Sequence, residues 1–143
     1  MAKMVHKVVP IVLRRRERLE ILAFRHPQAG TQLVKGTLET GENVEDATLR
    51  ELAEESGIEN AVIVRPLGEL THRGIAQHWR LFLCKVPGDL PDQWSFFTQD
   101  DGGHLFAFFW HELDRPADDS WHPDFHRALN LVRGLFQEDK ASI

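Results

Sequence analysis

The sequence predicts an α/β fold in which helices cover a central mixed β-sheet. Apolar runs rich in β-branched residues lie on both sides of a helical segment near the middle of the chain, and a second amphipathic helix follows the last run. The length of 143 residues is typical of one domain. No internal repeat, low-complexity segment or interdomain linker is visible. We therefore expect one domain over residues 1–143.

The first two strands are predicted on either side of a charged turn. Residues 7–13 and 19–24 are apolar, β-prone runs, and residues 14–18 between them read Arg-Arg-Arg-Glu-Arg. We interpret these arginines as solvated. Contact with substrate phosphate is the alternative, because the guanidinium fork suits phosphate. Residues 32–35 are a candidate for another short strand, which would end at Gly36.

A helix is predicted over residues 43–56. Asn43 is a suitable N-cap, acidic residues crowd the first turn, and Gly57 follows as a C-cap. At about 100° per residue three glutamates share one face of this helix, and the apolar residues fall on the opposite face. The expected arrangement therefore has Glu51, Glu54 and Glu55 pointing outward, while Leu49, Leu52 and Ala53 pack on the sheet.

The second half of the chain predicts two long strands, a loop, a further strand and a terminal helix. The strands are expected over residues 61–71, 78–86 and 105–110, and the helix over residues 125–136. Residues 87–103 are rich in Pro, Gly and Asp and indicate a substantial loop. That loop carries three aromatic residues that either stack on a nucleobase or pin the loop to the core, namely Trp94, Phe96 and Phe97.

Composition limits the partners and the compartment. A net charge of -5 argues against a broad surface for duplex DNA or for an anionic membrane. The apolar runs are too short to span a bilayer. The only cysteine, Cys84, lies in an apolar run and is expected on a buried strand, as in proteins of reducing compartments. We therefore expect a cytoplasmic protein that binds neither DNA nor membrane.

The acidic face of the predicted helix is a candidate metal site. Glu51 and Glu55 are four residues apart, and such like-charged pairs cost an isolated helix a few tenths of a kcal/mol. Arg50 offsets part of this cost by pairing with Glu54. Converging carboxylates suit a hard cation such as Mg²⁺, which prefers oxygen ligands. An ordinary acidic surface is the alternative for these three glutamates taken alone.

The spacing of the whole segment from Gly36 to Ile58 resembles the Nudix box. That box has a glycine, five residues, a glutamate, seven residues, and then Arg-Glu-apolar-any-Glu-Glu-any-Gly-apolar. The matching positions are Gly36, Glu42, Arg50, Glu51, Leu52, Glu54, Glu55, Gly57 and Ile58. The resemblance implies the Nudix α/β/α sandwich around a mixed sheet. It also implies hydrolysis of the diphosphate linkage in a nucleoside diphosphate derivative, such as a nucleoside triphosphate, a dinucleoside polyphosphate or a nucleotide sugar.

The same resemblance implies roles for the box residues. Glu54 and Glu55 would bind Mg²⁺ or Mn²⁺ together with the main-chain carbonyl of Gly36. Glu51 would bind metal or act as the base for the attacking water, and family members differ on this point. The residue that holds a carboxylate in position would be Arg50, and Glu42 would support the site from behind. We assign the catalytic roles to Glu51, Arg50 and Glu54.

Five residues outside these positions are candidates for substrate contact: Arg25, Lys35, Trp94, Asp100 and Asp101. Lys35 before the box glycine resembles family members that act on dinucleoside polyphosphates or diphosphoinositol phosphates, although Val34 replaces a proline often found there. Asp100 or Asp101 would supply a further metal-binding acid. The alternative is a simple Asp-Gly turn between two strands.

Two other functions remain open at this stage. One is a Nudix-fold module that senses a nucleotide without turnover, and the other is a pyrophosphohydrolase of RNA 5′ ends, which would need a basic groove. The resemblance favours an enzyme with a small phosphorylated substrate, most simply a nucleotide. It is also compatible with a homodimer, since homodimers are frequent in the family.

Overall fold

The structure is a computed structural model that describes residues 3–137 and leaves out the side chain of Asp101. Within residues 3–137, eight strands and two α-helices follow one another, with three short 3-10 helices between them. In chain order they are β1 (Val5–Arg15), β2 (Leu19–His26), β3 (Gly30–Gln32), β4 (Gly36–Thr37), α1 (Val44–Ser56), β5 (Val62–His72), β6 (Gln77–Lys85), β7 (Trp94–Thr98), β8 (His104–Glu112) and α2 (His126–Phe136).

The strands form one mixed sheet in the order β5-β6-β1-β2-β8-β7, with β3 beside β2 and β4 beside β1. Strands β1 and β6 run parallel, and the other pairs are antiparallel. The predicted α/β class with a mixed sheet is therefore confirmed.

Strand β1 changes its partner along its length. It pairs with β6 as far as Val12, which lies opposite Cys84, and it pairs with β2 from Leu13 to Arg15. Its alternating side chains supply both layers of the core. Val12 packs in the cluster that contains Leu52 of α1, and neighbouring positions pack in the cluster that contains Leu129 of α2.

Helix α1 begins and ends at the predicted caps. Oδ1 of Asn43 accepts hydrogen bonds from the backbone N–H groups of Glu45 at 2.9 Å and Asp46 at 3.2 Å. Gly57 closes the helix with a φ of 82°, a left-handed conformation that glycine adopts without a Cβ penalty. An N-cap of this type is worth about 1 kcal/mol. The boundaries of the helix thus follow from local residues alone.

Two of the predicted elements are wrong. The loop expected over residues 87–103 contains strand β7, in which Trp94 and Phe96 pack toward the core beneath α1 and Phe97 is exposed. The Pro, Gly and Asp residues on both sides of β7 favour a loop, so the short alternation within β7 does not stand out in the sequence. The strand expected over residues 32–35 is divided: β3 pairs with β2 and β4 pairs with β1, and residues 33–35 cross between them.

Cys84 lies on β6 and is 2% exposed, as the sequence predicts. Burial raises the pKa of its thiol to about 12. Across residues 3–137 neither α-helix has the length and apolar character needed to cross a bilayer.

Candidate metal and catalytic site

The site begins with a close contact between α1 and β4. Gly36 pairs with Val8 in the sheet, and the side chain of Glu51 fills the space above it. A Cβ atom at Gly36 would lie 1.7 Å from Cδ of Glu51, far closer than two carbon atoms can approach. Only a glycine at this position therefore lets the Glu51 carboxylate lie against the strand.

Three acidic side chains converge beside this contact. Glu51 and Glu55 lie one turn apart on α1, and the hairpin between β7 and β8 brings in Asp100. One carboxylate oxygen from each of the three lies within 4.8 Å of the other two. Such a set of oxygen donors fits a hard divalent cation.

Arg50 holds this group from one side through all five of its N–H donors. Nε and Nη2 bind the two carboxylate oxygens of Glu42 at 2.7 and 2.9 Å, and Nη2 also donates to the carbonyl of Thr37 at 3.1 Å. Nη1 donates to Oε1 of Glu51 at 2.8 Å and to Oε2 of Glu54 at 3.1 Å. The guanidinium therefore fixes the orientation of Glu51.

The second oxygen of Glu51 is left for another partner. Oε2 is buried and has no hydrogen-bond partner among the described residues. A buried carboxylate oxygen without a partner is costly, and each such case calls for an explanation. A cation shared with Glu55 and Asp100 would satisfy it, so the residues present fit a metal ion.

The pKa values of Glu51 and Glu55 agree with a candidate metal site at these residues. Burial raises the pKa of Glu51 to about 7, although the hydrogen bond and charge of Arg50 act in the opposite direction. Burial, with the charges of Glu51 and Asp100, raises the pKa of Glu55 to about 9, against a hydrogen bond from the backbone of Lys35. Glu42 differs, because its hydrogen bonds with Arg50 lower its pKa. A cation would reverse the cost of ionising the buried pair.

The expectation that all three glutamates of α1 point outward is wrong. Glu51 and Glu55 are 5% and 8% exposed, whereas the Glu54 side chain is 45% exposed and lies outside the group of three. Helical periodicity predicts that the three glutamates share one face of α1. The chain around Gly36 and the hairpin after β7 cover part of that face, so Glu51 and Glu55 are buried there. A direct role for Glu54 as a metal ligand stays a prediction.

The other candidate residues lie in different surroundings. The guanidinium of Arg25 stacks on Phe109 at 4.0 Å, and the ammonium of Lys35 lies 4.8 Å from the ring centre of Trp79. Trp94 stacks on Phe108 and donates a hydrogen bond from Nε1 to the carbonyl of Ser56 at 3.0 Å. These contacts pin Trp94 to the end of α1, in agreement with the packing interpretation.

Asp100 lies beside Glu51 and Glu55 in the candidate metal group, while the side chain of Asp101 lies outside the described residues. The ring that contacts Lys35, Trp79, was not among the predicted site residues. Nothing in its local sequence indicates the contact, because it depends on how β6 lies beside the chain at Lys35.

A protein family model and several solved structures are similar to this chain. The NUDIX domain family model matches residues 4–130. The fold is similar to that of an ADP-ribose pyrophosphatase from Streptococcus suis, with 16% identity, a TM-score of 0.66, and 92% of this chain and 90% of that chain covered. An Ap4A hydrolase from C. elegans has 21% identity and a TM-score of 0.66, with 96% and 99% covered.

A UDP-X diphosphatase has 17% identity and a TM-score of 0.69 over 96% of this chain. The match spans 65% of the length of that diphosphatase. No curated protein sequence matches the chain. At these identities the structural similarity shows the shared fold, and the family model identifies the domain.

Proposed function

Because the chain belongs to the Nudix family of hydrolases, we propose that it hydrolyses the diphosphate linkage of a nucleoside diphosphate derivative with Mg²⁺ or Mn²⁺. The observation that carries this proposal is the buried, unpaired Oε2 of Glu51 beside the carboxylates of Glu55 and Asp100. A cation bound among these acids would satisfy Oε2 and offset the repulsion between the ionised carboxylates.

The proposal assigns the cation to the carboxylates of Glu51, Glu55 and Asp100. The carbonyl of Gly36 and the carboxylate of Glu54 remain predicted ligands from the family resemblance. When bound, a divalent cation lowers the pKa of water and neutralises charge on the diphosphate oxygens. Glu55 and Asp100 come from separate elements, so the rigidity of α1 and of the hairpin between β7 and β8 sets the site geometry.

Glu51 has two candidate roles, and Oε2 serves in both. As a ligand it gives a lone pair to the cation. As a base it accepts a proton from the attacking water at Oε2, which has no other partner among the described residues. Water oxygen then bonds to phosphorus, the bridging P–O bond breaks, and the leaving group departs as a phosphate ester. No covalent enzyme intermediate is needed.

Arg50 is a positioning residue in this proposal. It binds Oε1 of Glu51 and so directs Oε2 toward the other acids. Its paired hydrogen bonds with Glu42 fix the guanidinium itself. Arg50 stays charged, because its hydrogen bonds with Glu42 raise its pKa above the usual range. Its contribution is to orientation and not to proton transfer.

The substrate class rests on what the similar structures have in common. As their names say, those proteins act on ADP-ribose, on UDP-X and on Ap4A, each a nucleoside with linked phosphates. We propose the same class for this chain, with Arg25 and Lys35 as the cations for substrate phosphate. Both guanidinium and ammonium groups bind phosphate, and the guanidinium does so through two parallel hydrogen bonds.

The test is a panel of nucleotide sugars, dinucleoside polyphosphates and nucleoside triphosphates, assayed by chromatography with Mg²⁺, with Mn²⁺ and with EDTA. We expect cation-dependent release of a nucleoside monophosphate or diphosphate from at least one class. Hydrolysis in ¹⁸O-labelled water places the label on one product and identifies the attacked phosphorus. Equal rates with EDTA and with Mg²⁺, or no hydrolysis of any class, would refute the proposal.

A further inference from the structure

A second cleft lies where β1 and β6 separate. The two strands run parallel until Val12 and Cys84, and then β1 turns away to pair with β2 while β6 continues to Lys85. A cavity of about 430 Å³ lies at this divergence, lined by the ends of both strands, by residues 88–90 and by Trp110. We call it the divergence cleft. Crevices at the carboxyl ends of parallel strands, where neighbouring strands part, are common ligand sites in α/β sheets.

The charges around the divergence cleft are mainly positive. Its lining residues include one acidic residue, Asp89, and four basic ones, Arg14, Arg15, Arg16 and Lys85. Two further carboxylates lie at its edge, where Glu20 pairs with Arg14 and Asp92 pairs with Arg14 and Arg16. The chain as a whole carries a net charge of -5, so this local excess runs against the overall balance. Within the described part of the chain no carboxylate lies within 4.0 Å of a basic group of Arg15 or Lys85.

Arg14 is held in place but keeps an unused donor. Its Nε donates to Oε1 of Glu20 at 2.7 Å, and its guanidinium lies 4.3 Å above the ring of Trp110. Nη1 lies 2.9 Å from Oδ1 of Asp92, an ion pair that lacks the geometry of a hydrogen bond, and this nitrogen is buried. The Asp92 side chain is 79% exposed, so an incoming anion can replace it.

The rest of the lining is apolar. Val64, Val86, Leu90 and Trp110 surround the cleft together with the ends of the two strands. Val64 is 48% exposed, although it is a large aliphatic residue. A ligand that matched this lining would place an apolar body against these side chains and an anionic group against the basic ones. The volume falls in the range of pockets that hold small organic ligands.

The cleft is separate from the metal site. Val8 on β1 pairs with Gly36 at the metal site, whereas the cleft begins at Val12 and extends to Arg16. At about 3.3 Å per residue these positions lie about 13 to 26 Å further along the strand. None of the residues that line the cleft belongs to the group of Glu51, Glu55 and Asp100.

We propose that the divergence cleft is a second binding site for a phosphorylated small molecule with an apolar body, of about the size of a nucleoside monophosphate. Arg14, Arg16 and Lys85 bind the phosphate, and the apolar wall beside Trp110 contacts the rest of the ligand. This inference goes beyond the proposed hydrolysis, because none of the cleft residues belongs to the metal site.

The experiment is a titration of the EDTA-treated protein with AMP, followed by two-dimensional NMR. Nε1–H of Trp110 donates to the carbonyl of Pro91 at 3.0 Å, so its indole signal reports on the cleft, and Trp110→Phe identifies it among the four tryptophans. We expect AMP to shift this signal to saturation. The double variant Arg16→Gln/Lys85→Gln should raise the Kd for AMP at least about tenfold, since it removes two charged contacts.

Matched variants and probes complete the test. Arg73→Gln/Arg115→Gln removes two charges outside the cleft and should leave the Kd for AMP unchanged, while Asp89→Asn should lower it. Inorganic phosphate and adenosine, which each lack one half of the proposed ligand, should bind at least about tenfold more weakly than AMP. A Trp110 signal that does not move, shifts confined to residues around Gly36, or wild-type affinity in the Arg16→Gln/Lys85→Gln variant would overturn the proposal.

Discussion

An acidic group lies beside the first half of β1 and a basic group lies at its end, and the two groups differ in how deeply their charges are buried. At the metal site Glu51 and Glu55 are buried, tightly packed and protonated more easily than ordinary carboxyls. At the divergence cleft Arg14 and Arg16 pair with Asp92, whose side chain is 79% exposed. Burial makes a charge expensive, so we expect the buried acids to take up either protons or a cation, while Gly36 and Arg50 hold Glu51 in place. At the basic end the ion pairs with Asp92 are weak, because that partner is exposed to solvent.

The largest effect that this contrast predicts is that of Gly36→Ala. The new methyl group would overlap the Glu51 carboxylate, so either α1 moves or Glu51 leaves the site. We expect hydrolysis to fall by orders of magnitude and the free energy of unfolding to fall by about 1–3 kcal/mol. Steady-state assays and urea denaturation measure the two effects.

Gly74→Ala is the control for this substitution, because a Cβ at Gly74 meets no atom within 4 Å. That variant should keep both activity and stability. A fully active Gly36→Ala enzyme would show that the contact between β4 and Glu51 does not shape the site.

Glu55→Gln tests the burial of the acidic end. The pKa of Glu55 is raised to about 9, so at pH 7 without metal the side chain is already neutral, and an amide replaces it at little cost. We expect an unchanged or slightly higher melting temperature in EDTA, loss of the increase that Mn²⁺ gives to the wild type, and a loss of turnover by orders of magnitude. Differential scanning fluorimetry with and without Mn²⁺ measures the first two effects.

Glu59→Gln, at an exposed position after α1, is the matched control and should respond to Mn²⁺ like the wild type. Wild-type turnover in Glu55→Gln would contradict the assigned role. A large drop in its metal-free stability would instead show that the carboxylate is ionised and paired in the absence of a cation.

The pH dependence of stability follows from the same two carboxyls. Their folded-state pKa values, about 7 for Glu51 and about 9 for Glu55, lie above the ordinary value of 4.5. Between pH 4.5 and pH 9 the folded state therefore binds more protons than the unfolded state. The free energy of unfolding of the metal-free protein gains from this below pH 4.5, and the gain is lost as the pH rises through 7 and 9.

Denaturation by urea at several pH values measures this slope. Mn²⁺ should reverse it, because a cation needs deprotonated ligands and binds more tightly at higher pH. The double variant Glu51→Gln/Glu55→Gln should show a flatter profile in EDTA. A wild-type profile that rises between pH 5 and pH 9 without metal would contradict the burial argument.

The smallest effect is expected at the basic end. Asp92→Asn makes the same chemical change as Glu55→Gln, a carboxylate to an amide, but at an exposed side chain paired with Arg14 and Arg16. The free energy of unfolding should change by less than about 0.5 kcal/mol, and the loss should vanish at high salt. Urea denaturation at low and high salt decides this. A loss above about 2 kcal/mol would show that the pair at the basic end is as sensitive to burial as the metal site.

Local features of this chain can be predicted from its sequence, whereas contacts between distant segments cannot. The sequence predicts the helix between Asn43 and Gly57 with both of its caps, since the capping residues and the box spacing are local signals. Strand β7 was missed, because its alternation is short and lies between loop residues. The burial of Glu51 and Glu55 was also missed. It depends on the chain at Gly36 and on a hairpin about fifty residues away in the sequence.

The divergence cleft shows the same limit. Residues 14–18 were recognised as a charged turn, but nothing in them tells that β6 ends beside β1 at that point. A site formed where two strands part becomes visible only when the register of the whole sheet is known.

The five hydrogen bonds of Arg50 have a consequence for motion. They join the carbonyl after the box glycine, the carboxylate of Glu42 before the helix, and two glutamates on the helix itself. We therefore expect the segment of residues 37–42 and helix α1 to open to solvent as one cooperative unit, so that their amide protons exchange with a common free energy. In Arg50→Lys, whose side chain has three donors and no planar fork, the amides of residues 37–42 should exchange first and independently of the helix.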